Sequence, residues 1–74
     1  MRKTVIEQMN DVIKDLRNIR NRAYRAAEKY GNESFGLEYE NAVGYIERAV
    51  EDLKEARLCV VLAEREKKKW EEWG

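Results

Sequence analysis

Two groups of side chains in this sequence are of the types that do chemistry. Between Lys14 and Arg25 the chain places Lys14, Arg17, Arg20, Arg22 and Arg25 against the single acid Asp15, with Asn18, Asn21 and Tyr24 interleaved. Arginine forks hold phosphates, and an aromatic ring beside them stacks on a base. Arg17, Arg20, Arg22, Tyr24 and Arg25 are therefore the candidate nucleic-acid- or nucleotide-binding residues. The competing expectation is a solvated helix face whose arginines pair with acids on a neighbouring helix. Fifteen basic and fifteen acidic residues cancel to zero net charge, which argues against a strong non-specific nucleic-acid binder.

The second group is the acidic row Glu40, Glu47, Glu51 and Glu55, with Asp52 beside it. Inward-facing carboxylates on facing helices can hold two metals, but that design adds a histidine three residues after a glutamate. The sequence has no histidine and one cysteine, so the usual zinc, haem and iron–sulfur ligand sets are missing as well. The acids fall outside the apolar periodicity and are expected to face water. Cys59 sits mid-helix in the apolar run Leu58–Ala63, which predicts a buried small residue and not a reactive thiolate. There is no GxGxxG and no GxSxG. No catalytic residue, cofactor or metal is expected, and the protein reads as a non-enzyme. Trp70 and Trp73, near the C-terminal end, are candidate partner-binding anchors; Trp70 also continues the apolar seam described next, and so could pack on a second copy of the chain.

The elements that carry these residues follow from the spacing of apolar side chains. Phe35, Tyr39, Ala42, Ile46, Ala49, Leu53, Ala56, Val60 and Ala63 recur in alternating steps of four and three. Val5, Met9, Val12, Leu16, Ile19, Ala23, Ala26 and Tyr30 do the same. Each is the seam of a long helix packed lengthwise on another. The spacing predicts an all-α hairpin in a single domain over 1–74, with helix 1 over about 2–30, a turn at 31–35 and helix 2 over about 36–72. Thr4, with Glu7 three residues on, can cap helix 1. Gly31 is expected to close it in the left-handed conformation, and Asn32 or Ser34 to cap helix 2. A short turn makes the helices antiparallel neighbours, with Val5 near Val60 and a charged overhang beyond Glu64.

A second apolar column beside the seam points to partners. Ile6, Ile13, Val43 and Val50 widen the stripe, and Leu58, Val61 and Leu62 leave helix 2 apolar on nearly every side. Three apolar columns suit a bundle of three or four helices, and a helix apolar all round is normally buried. These seven residues are the expected oligomer interface, in a homodimeric four-helix bundle or a higher oligomer. A lone hairpin of 74 residues also buries little surface, and a single cysteine cannot staple it. Charge agrees with an antiparallel hairpin: residues 1–30 carry eight Lys/Arg against four Asp/Glu, and residues 31–63 carry three against seven.

The hairpin resembles small helix-turn-helix proteins that dimerise into four-helix bundles, such as the plasmid copy-number protein that binds paired RNA loops; the likeness is one of architecture, with no shared motif. Ser34, Ala42, Ile46, Glu47, Ala49, Val50, Ala56 and Arg57 are similar to positions in the helical hairpins of phage proteins that sequester cyclic nucleotide signals, although a tryptophan of that pattern is missing from helix 2. These resemblances imply a small binding protein. The expected function is a non-enzymatic oligomeric protein-interaction module or regulator, whose partners are itself and an unknown protein. The alternative is a nucleic-acid- or nucleotide-binding bundle of phage or plasmid type. The longest apolar run is far below the ~20 residues of a membrane span, and there is no apolar signal core near the start, so no membrane partner and a cytoplasmic location are expected.

Overall fold

The computed structural model describes residues 2–73. It consists of α1, Val5–Lys29, and α2, Ser34–Trp73, with no strand among the described residues. Thr4 caps α1 as its sequence context predicts. Its hydroxyl accepts from the Glu7 amide and donates to the Glu7 carboxylate, both at 3.1 Å. The extended backbone of Thr4 starts α1 at Val5, not near Arg2. Just before the cap, the Lys3 ammonium donates to Asp11; this hydrogen bond, and then the Asp11 charge, hold Lys3 above its ordinary pKa.

The turn differs from expectation in its chemistry. Among the described residues no glycine has positive φ, so Gly31 does not close α1 in the left-handed form. Instead the Tyr30 amide donates to the Ala26 carbonyl at 3.0 Å. The chain then turns through successive amide bonds, Glu33 to the Tyr30 carbonyl at 2.9 Å and Gly36 to the Glu33 carbonyl at 3.0 Å. This brings the first residue of α2 forward to Ser34, inside the stretch expected to be loop. Gly36 is the residue the turn cannot replace. A Cβ there would lie 2.0 Å from the Tyr30 carbonyl oxygen, so only glycine permits this approach. The Tyr30 and Phe35 rings close the end of the hairpin, with centroids 5.0 Å apart.

Because Gly36 must face the end of α1, it also sets the roll of α2. Seven-residue steps from Gly36 lead to Val43, Val50 and Arg57, and this column turns toward Ile6, Ile13, Arg20 and Ala27 of α1. Ile13, Val50 and Ala27 are 3%, 4% and 8% exposed. The expected roles of the two apolar columns are thereby exchanged. Ile6, Ile13, Val43, Val50 and Val61, expected at an oligomer interface, are buried or half-buried inside the hairpin. The outer edge of the 4-3 seam is turned to solvent, with Val5 55%, Val12 41%, Ile19 50% and Phe35 47% exposed. Met9, Leu16, Ala23, Ile46, Leu53 and Val60 lie between the two columns and are half-buried. The physical reason is side-chain size. The inner column offers Ile6, Ile13, Val43 and Val50, whereas the outer edge of α2 offers Ala42, Ala49, Ala56 and Ala63, which bury little.

The result is long and thin, 62 × 24 × 11 Å. Its radius of gyration is 17.8 Å, against about 11 Å for a compact domain of this length. Its accessible surface is 6549 Å², against roughly 4,800 Å² for a compact protein of 8.8 kDa.

Candidate interaction surface

The hairpin has two broad faces, and they differ in chemistry. In an antiparallel pair, the residues flanking the inner column on one side of α1 meet their counterparts on the same side of α2. On the first side these are Val5, Val12, Ile19 and Ala26 with Phe35, Ala42, Ala49, Ala56 and Ala63. On the second they are Asn10, Arg17 and Tyr24 with Glu40, Glu47 and Lys54. The first face is apolar along its whole length and open; the second is a polar groove.

Two contacts across the hairpin fix its register. Arg57 donates to the Asn10 side chain at 2.7 Å, and the Arg20 guanidinium lies 3.4 Å from the Glu47 carboxylate. Both arginines start from the inner column and lean to the polar side. Arg20 Nε is buried without a hydrogen-bond partner, so its attraction to Glu47 is a charge contact and not an aligned bond. With both side chains partly exposed, it is worth at most about 1 kcal/mol. Arg20 and Arg57 are thus spent within the hairpin.

The arginine segment is divided by this geometry. Arg17 and Arg20 line a depression of about 360 Å³ with Lys54, but Glu47 and Glu51 line it too, and Lys54 donates to Glu51 at 3.2 Å. Tyr24 lines the next depression, of about 380 Å³, in the company of Glu28, Glu40 and Glu47. Arg22 and Arg25 line neither. The five candidate residues do not converge on one basic pocket, and the ring that was to stack on a base stands among carboxylates that repel phosphate. The acidic row is dispersed likewise: among the described residues no group of three or more potential metal ligands comes together.

The remaining candidates lie on α2. Register places Val5 level with Val61 and Leu62, so α2 continues alone from about Ala63. On this overhang Trp70 and Trp73 are 75% and 91% exposed. Leu58 and Leu62, on the side of α2 away from the open apolar face, are 54% and 49% exposed. Cys59, expected to be buried, is exposed, because it lies outside the inner column. Among the described residues no helix is long and apolar enough to cross a membrane. Missed at the level of sequence was a shallow apolar depression of about 500 Å³ beside the turn, lined by Phe35, Glu38, Tyr39 and Ala42. Its signal was present in the two aromatics four residues apart at the start of α2. No protein-family model, no curated protein and no solved structure matches the chain.

Proposed function

We propose that this is a small non-enzymatic protein that works by binding, and that the hairpin is half of a homo-oligomeric helical bundle, in its simplest form a homodimer of four helices. One observation carries the reading: an apolar face runs the length of the hairpin and remains open in the single chain. Val5, Val12, Ile19, Phe35 and Tyr39 on that face are each at least 40% exposed, while among the described residues the buried apolar side chains are Ile13, Ala27 and Val50. A contiguous face of this size is uncommon on a monomer and typical of an interface. The excess accessible surface points the same way, since an elongated hairpin recovers it by pairing.

Once that face is covered, the exposed apolar side chains left for a foreign protein include Leu58 and Leu62 on the outside of α2, together with Tyr45 and Trp73. This supports an interaction module or regulator over a nucleic-acid binder, whose arginines here share their groove with glutamates. The test is the solution mass by light scattering, at low and moderate salt. A stable oligomer of the 8.8 kDa chain is expected at both salts, because the face is apolar. A monomer at tens of micromolar would overturn the reading. A mass that rises only on adding RNA or DNA, and falls back with salt, would put the arginine groove in its place.

A further inference from the structure

Among the described residues the overhang of α2 has no partner within its own hairpin, yet it carries Trp70 in the same seven-residue column as Phe35. We infer that a second copy of the chain docks with its turn at the opposite end, so that the overhang of each α2 lies on the partner's Phe35–Tyr39 depression. The inference rests on the homo-oligomer reading above and specifies its geometry.

Two-fold symmetry allows two ways to press the open faces together. With turns at the same end, α2 lies over the partner's α1, and the two overhangs project side by side with nothing beneath them. Lys67, Lys68 and Lys69 of one copy then stand level with the same three lysines of the other. With turns at opposite ends, α2 lies antiparallel over the partner's α2. An axis between Asp52 and Leu53, midway between Phe35 and Trp70, then brings Trp70 over the partner's Phe35. The same axis brings Lys67 level with the partner's Glu38, which lines the depression beside Phe35. It also brings Val12 of α1 within two residues of level with the partner's Ile19, so the open columns of both helices are buried together. Trp70, 75% exposed in the hairpin, and the depression of about 500 Å³ beside Phe35 are complementary halves of this contact. Like charges facing one another disfavour the first arrangement, and opposite charges with an aromatic seat favour the second.

Disulfide trapping tests this in a Cys59→Ser background. Ala42 and Ala63 share the open column, and the inferred axis sets Ala42 level with the partner's Ala63. An equimolar mixture of the Ala42→Cys and Ala63→Cys proteins, under mild oxidation, is expected to give a covalent dimer. Mixing Ala42→Cys with Ala26→Cys is expected to give none, because that pair meets only if the turns share an end. The reverse pattern, or no dimer in either mixture while light scattering still reports an oligomer, overturns the docking but leaves the homo-oligomer reading standing. A monomeric mass for the unmodified chain overturns the earlier reading instead. Independently, Trp70→Ala is expected to raise the dimer Kd about tenfold or more, and to add little when Phe35→Ala is already present. Additive losses would count against the Trp70–Phe35 contact.

Discussion

Val12 and Ile13 are neighbours in sequence, as are Ala49 and Val50, yet their surroundings differ. Ile13 and Val50 are almost fully buried, whereas Val12 is 41% exposed. One step along a helix turns a side chain by about 100°, enough to move it from the seam between α1 and α2 to the open face. Both columns carry apolar side chains and both repeat every seven residues, the inner one interrupted by Arg20 and Arg57. The inner column closes the hairpin; the outer one stays open to solvent. The comparison shows that a wide apolar stripe states how much surface must be buried without stating which part is buried first.

The largest effect should come from breaking the inner column. Ile13→Ala is expected to destabilise the fold by about 2–5 kcal/mol, with helicity and oligomer lost together in thermal melts followed by circular dichroism. Next comes the residue that sets the roll of α2. Gly36→Ala forces a Cβ into the Tyr30 carbonyl and should cost about 1–3 kcal/mol, read as a lower denaturant midpoint; a neutral result would mean that the turn can rotate without penalty. Substitution on the open column should act differently. Val12→Ser is expected to raise the oligomer's dissociation constant about tenfold, for about 1.4 kcal/mol, while leaving the helicity of concentrated samples unchanged. If Val12→Ser instead melts the hairpin at every concentration as Ile13→Ala does, the two columns are not distinct. Thr4→Ala removes the cap of α1 and should cost about 1 kcal/mol. Smallest is Glu47→Gln, which removes a partly exposed charge contact with Arg20 and should shift stability by less than about 1 kcal/mol.

Much of this fold is legible in the residues. Alternating four-three spacing and the absence of proline foretell two long helices. Thr4 and Glu7 foretell the first cap, and the polar turn foretells an antiparallel pair. The roll of the helices was harder to read, because it depends on a backbone contact, Gly36 against the Tyr30 carbonyl, that no periodicity reveals. The candidate surfaces divide in the same way. Trp70 and Trp73 read as exposed anchors from their place on a charged overhang, and they are exposed. The arginines read as one basic face, but Arg17 and Arg20 share a groove with Glu47 and Glu51 from the other helix, and only the pairing of α1 with α2 brings those carboxylates in. Cys59 read as buried because its neighbours are apolar, yet it points away from the inner column.

From the sequence alone follow the helical class, the two-helix order, the excess of apolar surface over what one hairpin can bury, and the lack of the usual metal- and cofactor-binding motifs. These are properties of residue type and local spacing, which a helix of known pitch converts directly into stripes. Tertiary structure alone decided which stripe closes the hairpin, where Arg20 and Arg57 end, and that the aromatic turn keeps an open seat. Each of these depends on the rotation of one helix about its axis, and that rotation is set by the close approach of Gly36 to the Tyr30 carbonyl across the turn, which side-chain periodicity does not encode.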